Sequence, residues 1–381
     1  MLKFPIYLDN NSTTRVAPEV LESMLPYFSD EYGNPGSSGH LFGRKAHAAV
    51  EFSREIIARY LQTEPSKIIF TSGTTEANNL LTKSIDYDPE KNEIVVSEIE
   101  HPSVLNPVRQ LAQKGFVIRY APVDHTGRVK LDALAELVSR KTAFISIMHA
   151  NNEIGTIQDL SQICKIAAQN DVLIHTDAAQ SIGKIDFNFK QYPVNFVTFG
   201  AHKFYGPKGI GVLALSHQTE RRFINPMISG GGQEFGLRSG TLNVPSIVGV
   251  GRAVTLASEF LSSDYEKIQG MTAKLLECFL KFGDKITLNG SPDFRIPGNL
   301  NLLLKGVSNA QLLKNAQDIC FSTGSACSTG SAEPSYVLKA IGLTSDDARN
   351  SIRLGLGRYN TPEEIEFVCE RFSKIINELL Y

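Results

Sequence analysis

Little in this chain is in excess. Over 381 residues, 38 lysines and arginines face 40 aspartates and glutamates, a formal charge of −2 at pH 7. No overall field draws the protein onto nucleic acid, so no direct nucleic-acid contact is expected. No apolar run approaches the roughly 18 residues of a membrane span. The N-terminal MLKFPIYLDNNSTT has neither a charged segment leading into a long apolar core nor an Arg-rich amphipathic pattern. A cytoplasmic protein with no membrane association is expected. Cysteine is sparse and odd in number: Cys164, Cys278, Cys320, Cys327 and Cys369 are widely spaced, with no Cys-x-x-Cys pair. That argues against a disulfide framework and against a zinc site, and no metal is expected. Low-complexity segments and internal repeats are absent.

What remains is an ordinary globular composition, 42% hydrophobic and 20% charged, in a chain long enough for two domains in one body. From residue 68 onward seven short β-branched runs alternate with amphipathic stretches: KIIFTSG, NEIVVSE, FVIRYAPV, AFISIMH, VLIHTD, FVTFG and GIGVLALS. That rhythm predicts an α/β fold with a mainly parallel seven-stranded sheet flanked by helices. In such sheets the ligand sits beyond the carboxyl ends of the strands. The informative polar residues fall at those ends, in TSGTTE, EHPS, HANNE, HTDAAQ and GAHK, as one shared site requires. Beyond about residue 255 the pattern turns to long helices with one strand-like pair, GNLNLLL and ICFSTGSAC, which reads as a smaller α+β domain. The arm PIYLDNNSTT is expected to return to it. The expected division is therefore a large domain over 15–255 and a small one over 1–14 and 256–381.

Lys203, in TFGAHKFYGPKGIGV, follows an apolar run among glycines. As a surface lysine it needs no such setting; in a pocket, desolvation lowers its pKa and makes it a nucleophile toward carbonyl groups. TSGTTEANN puts Thr74 and Thr75 where a strand gives way to a helix, so that free N–H groups, the helix dipole and two hydroxyls suit a phosphate. Taken alone it is also an ordinary helix cap. Asp177 ends the strand VLIHTD, either as a cap or as the partner of a cationic ring nitrogen. His101 stands at another strand end, before Pro102. A phosphate cradle, an acidic partner for a pyridinium and a lysine able to form a Schiff base are together what pyridoxal 5'-phosphate (PLP) requires of a protein.

The motifs EHPSV, MHANNEIGTIQD, HTDAAQSIGK, AHKFYGPKGIG, GGGQEFGLRSGTLN, STGSACSTGSAEPSYVL and SIRLGLGR, in this order, resemble the cysteine desulfurases of the NifS and IscS group, within the class V aminotransferases. The resemblance covers nearly the whole chain and implies a PLP-dependent transferase of fold type I. It implies that Lys203 holds the cofactor covalently, Asp177 faces the pyridine nitrogen, His101 stacks on the ring and Gln180 contacts the ring hydroxyl. It places Asn152 beside cofactor and substrate, and gives the phosphate to Thr74, Thr75 and His202. Thr241 would reach the phosphate of a second subunit, which implies a homodimer. One departure stands out: three residues before the lysine, where familiar members carry serine as a phosphate ligand, this chain has Gly200. Somewhat weaker cofactor retention is expected from it.

Cys327 lies in a Ser/Gly-rich stretch that does not read as core, whereas the other four cysteines fall in helical or strand patterns. By resemblance Cys327 takes sulfur from L-cysteine and carries it as a persulfide, leaving L-alanine. Arg353, in SIRLGLGR, suits the bidentate contact to a substrate carboxylate, while Arg358 reads as a structural charge. The catalytic set is then Lys203, Cys327 and His101. Selenocysteine lyase or another class V reaction is the alternative, although transamination needs no thiol. A PLP-binding regulator would not need the full set. The expected partner is a sulfur-acceptor protein serving iron–sulfur cluster assembly, tRNA thiolation or DNA phosphorothioation. The ending NELLY, soon after the last helical pattern, weighs against a cluster scaffold.

Overall fold

The computed structural model describes residues 2–86, 88–323 and 333–380; Cys327 lies outside them. After a two-residue strand β1 (Ile6–Tyr7), seven strands build one sheet: β2 (Ile68–Thr71), β3 (Glu93–Ser97), β4 (Val117–Ala121), β5 (Thr142–Ser146), β6 (Leu173–Asp177), β7 (Phe196–Gly200) and β8 (Gly211–Leu215). They correspond to the seven β-branched runs and lie in the order β2-β8-β7-β6-β5-β3-β4. Only β8 runs against its neighbours, β2 and β7. The other six therefore point the same way and share a carboxyl edge.

Apart from the largely exposed edge strand β4, these strands read as apolar runs because both faces are covered. Alternate residues enter two separate cores, as a period of two demands. Ile68, Phe70, Val95, Val212 and Ala214 face one; Ile69, Ile94, Val96, Leu213 and Leu215 face the other. The second face is covered by the helices Thr74–Lys83 and Pro102–Leu111, through Leu80, Leu81, Val104 and Val108.

Five further strands follow: β9 (Ile286–Leu288), β10 (Asn299–Leu304), β11 (Ile319–Cys320), β12 (Ser322–Thr323) and β13 (Ser351–Gly355). Four of them form an antiparallel sheet in the order β12-β13-β10-β9, while β11 pairs in parallel with β1. The sequence pattern foresaw β10 and β11 but not β9 and β13. A third core joins Ile6 and Leu8 of the N-terminal arm to Leu275, Phe279, Leu300, Leu302 and Phe372.

The helix Val244–Leu280 runs along both parts, with Val250 and Val254 in the first core and Met271 and Leu275 in the third. One stretch of it reaches a mean hydropathy of 1.3, but 56% of that stretch is buried inside the protein. Its apolar length is used in packing.

Candidate active site

At the carboxyl edge of the large sheet lies a cavity of about 480 Å³. Thr74 and Thr75 reach it from the helix that follows β2, His101 from the turn after β3, Asn152 from the turns after β5, and Asp177 from the last residue of β6. Gln180 follows Asp177, and His202 and Lys203 follow β7; Arg353 comes from β13 in the small sheet. Nine of the sequence-predicted site residues thus line one space. Thr241 is exposed and does not line it.

Lys203 ends the short helical turn Ala201–Lys203, and its Nζ donates to the carbonyls of Asn11 (2.9 Å) and Ser12 (2.7 Å). These contacts cross about 190 residues of sequence. Asp177 is buried; its Oδ1 accepts from the Ala179 N–H and its Oδ2 from Asn78 Nδ2, each at 2.9 Å. It is both a local turn former and a carboxylate presented to the cavity. His101 caps the helix Pro102–Leu111, its Nδ1 accepting from the Ser103 N–H at 3.1 Å, with Pro102 in the first-turn position that needs no donor.

Arg353 is 3% exposed. One terminal nitrogen donates to Asp9 Oδ1 (2.8 Å), Ser12 Oγ (2.5 Å) and Ser322 Oγ (3.1 Å), the other to the Asn152 carbonyl (3.1 Å). Its Nε is buried with no partner among the described residues. Arg358 pairs instead with Asp264 at 2.7 Å and lies over the rings of Tyr205 and Phe260, outside the cavity lining. Of the remaining cysteines, Cys164 and Cys278 are buried, and Cys320 and Cys369 are half-buried.

The electrostatics favour anions. Lys203, Lys208 and Arg353 line the cavity, and Lys184 donates to Gln180 Oε1 at 2.6 Å just behind it. Burial, with Lys203 and Arg353 nearby, pushes the Lys184 ammonium down to about 7. Burial and the charges of Lys203, Lys208 and Lys184 push His202 down to about 4. Burial also lowers His101; Asp177 opposes that shift and Lys203 adds to it. Glu76, the other carboxylate in the lining, is engaged by Arg238 at 2.8 Å. A phosphate and a carboxylate are the ligands such a field suits.

The model of the class-V aminotransferases matches residues 6–368. The chain belongs to that family. The cysteine desulfurase IscS of Rickettsia typhi is 41% identical over 380 residues, 98% of this chain and 92% of that protein. A solved NifS-like protein superposes with a TM-score of 0.91 at 37% identity, covering 98% of this chain and all of the other. SspA, solved in complex with cysteine, gives 0.80 at 35% identity over 93% of this chain and all of its own.

Class-V aminotransferases of this kind are PLP-dependent, and the residues present fit the group. Thr74 Oγ1 is buried without a partner among the described residues at the start of the helix Thr74–Lys83, facing the same space as Thr75 and His202. The same atom bears on Gly200. A Cβ at position 200 would come within 2.7 Å of Thr74 Oγ1, so the threonine hydroxyl occupies the volume where a serine side chain would start. The expected outcome is an exchange rather than a loss. Gly200→Ser should weaken PLP binding by turning the Thr74 hydroxyl aside, and Thr74→Ala should weaken it about tenfold, the worth of a hydrogen bond to a charged group. The double variant should regain most of the affinity. Fluorescence titration of apoprotein with PLP measures all three, and additive losses in the double variant would refute the exchange.

Sequence reasoning missed Asn11, Ser12, Lys184 and Lys208. The run DNNSTT, too polar for a strand and too rich in small residues for an ordinary leader, was the available signal for the first two.

Proposed function

We propose that this protein is a cysteine desulfurase that converts L-cysteine to L-alanine and carries the released sulfur as a persulfide on Cys327. The observation that carries the reading is the convergence of a lysine amine, a buried carboxylate and a buried guanidinium on one cavity, in a chain 41% identical to a protein named cysteine desulfurase. PLP, when bound, supplies the electron sink for charge developing at the substrate α-carbon.

The protein's own groups do the rest. Lys203, fixed by two backbone carbonyls, binds the cofactor and then moves the α-proton with its Nζ. Asp177 would keep a proton on the ring nitrogen, and His101 would lie against the ring. Thr74, Thr75 and His202 would hold the phosphate, Gln180 would contact the ring hydroxyl, and Asn152 would lie beside cofactor and substrate. The Nε–H of Arg353, without a partner among the described residues, is assigned to the substrate carboxylate; one terminal nitrogen is tied to Asp9, Ser12 and Ser322 and the other to the Asn152 carbonyl, which holds the guanidinium in place. Cys327, as thiolate, attacks the substrate sulfur; the C–S bond breaks, the β-carbon keeps its electron pair and takes the proton given up by the substrate thiol, and the α-carbon regains the proton held by Lys203, leaving alanine and the persulfide.

The division into 15–255 and 1–14 with 256–381 belongs to this proposal, as does a homodimer. Leu21, Leu25, Phe28, Tyr32, Leu41 and Phe42 are all exposed within a short span of sequence, and exposed apolar side chains grouped in this way suit contact with another chain. The loop bearing Thr241 is tied through Arg238 to Glu76 beside the phosphate cradle, and Thr241 is assigned to the second subunit's phosphate. Sedimentation should find two copies, and a fully active monomer would remove that assignment. The protein is read as cytoplasmic, passing sulfur to an acceptor protein, with iron–sulfur assembly the use that fits the IscS likeness. The deciding assay is stoichiometric: PLP-loaded protein with L-cysteine should release one alanine per sulfide formed under reductant. Pyruvate or an exchanged amino group in place of alanine would overturn the reading.

A further inference from the structure

From the cavity wall inward, six buried side chains and the half-buried His101 form a hydrogen-bonded chain whose direction can be worked out atom by atom. Asn78 is fully buried. Its Nδ2 lies 2.9 Å from Asp177 Oδ2 and 2.9 Å from Ser103 Oγ. A carboxylate only accepts, so the amide nitrogen faces Asp177 and both of its hydrogens are committed. Asn78 Oδ1 must then accept, and it does so from Thr198 Oγ1 at 2.5 Å. With its hydrogen given to Asn78, Thr198 accepts from His175 Nε2 at 2.9 Å. His175, which burial pushes down to about 3, is neutral, so its Nδ1 accepts from Ser146 Oγ at 2.8 Å. On the other arm Ser103 Oγ, having accepted from Asn78, donates its hydrogen to His101 Nδ1 at 2.7 Å. That nitrogen also accepts the Ser103 backbone N–H. Two donors therefore meet one ring nitrogen, and the hydrogen of neutral His101 can sit only on Nε2.

We propose that Asn78 is a positioning residue that ties the carboxylate of Asp177 and the imidazole of His101 into one unit, holding His101 neutral with its hydrogen on Nε2. A proton arriving at His101 Nδ1 would break both hydrogen bonds from Ser103. Asp177 from β6 pulls toward protonation and Lys203, after β7, opposes it; Glu100, the preceding residue, has its carboxyl turned to the Met148 N–H. The tether acts beyond these charges because it depends on hydrogen positions. Its effect on turnover rests on His101 acting at the cofactor, as proposed for the function.

The test uses PLP-loaded protein labelled with nitrogen-15 in histidine. In the wild type His101 should show the neutral Nε2–H tautomer. In Asn78→Ala the Ser103 hydroxyl is released, and in Ser103→Ala it is removed while the Asn78–Asp177 bond stays; in both, His101 should show mixed tautomers and titrate about one pH unit higher. The kcat should fall about tenfold with KM little changed, since Arg353 is untouched. Ser103→Thr, which keeps the hydroxyl, should restore the wild-type tautomer. An Nδ1–H tautomer in the wild type would overturn the proposal, and so would unchanged His101 resonances in Ser103→Ala, a variant that decides the matter even if Asn78→Ala fails to fold. Shifted resonances with unchanged turnover would leave the tether standing and remove His101 from the reaction.

Discussion

Lys203→Ala should abolish alanine production from cysteine, with a fall of at least about ten-thousandfold. The size follows from two losses at one atom: proton transfer by a placed base is worth about a hundredfold to ten-thousandfold, and covalent attachment of the cofactor goes with it. The protein should still bind PLP, because the phosphate cradle and Asp177 are untouched, but with the absorbance of a free aldehyde. A second buried amine makes the test sharper. Lys184, pushed down to about 7 by burial, is largely available as the free amine near neutral pH, yet it hydrogen-bonds Gln180 and does not line the cavity. Position should outweigh availability. Alanine formation above about a tenth of the wild-type rate in Lys203→Ala would move the base elsewhere, and loss of that residue in Lys203→Ala/Lys184→Ala would identify it.

Cys327→Ser should bind PLP and respond spectrally to cysteine as the wild type does, and release no alanine. Serine is nearly isosteric, but a hydroxyl at neutral pH is a far poorer nucleophile toward sulfur than a thiolate, and binding cannot replace a covalent step. Mass spectrometry of the wild type after cysteine treatment should find an added sulfur on the peptide containing Cys327 and none on Cys320, which lies half-buried in β11. Selenocysteine is the useful contrast, because selenium leaves more readily than sulfur. Desulfuration of cysteine at the normal rate by Cys327→Ser would end the persulfide reading and promote a lyase.

The large sheet was legible because its strands, the exposed edge strand β4 apart, are covered on both faces, so each reads as an apolar run that needs no partner to be recognised. The residues at their carboxyl ends were legible for the same reason: once direction is known, Thr74, His101, Asp177 and Lys203 must converge. The small sheet was not. Ile286–Leu288 is three residues long, and SIRLG drew attention for its arginine rather than as the strand β13 that holds Asn301 opposite Arg353. Contacts such as Lys203 to Asn11, or Asn78 to Asp177 and Thr198, leave no trace in local periodicity, because the partners lie about a hundred or more residues apart. Gly200 could be noticed from its neighbours, but its meaning depends on where the Thr74 hydroxyl sits in space.

The N-terminal arm also sets an order of events during synthesis. Asp9 bonds Ser322, 313 residues further on, and β1 has no strand partner until β11 exists. At a ribosomal rate of about 5–20 residues per second, the arm waits roughly 15–60 s for them. Gln180 can already hold the Asn11 carbonyl in that time, but Arg353, which bonds Asp9 and Ser12, has not been made. The large sheet can form early as a nascent scaffold, but the pocket closes only when the last quarter of the chain has emerged. The arginine assigned to the substrate carboxylate is therefore added last, after the residues assigned to the cofactor have been made.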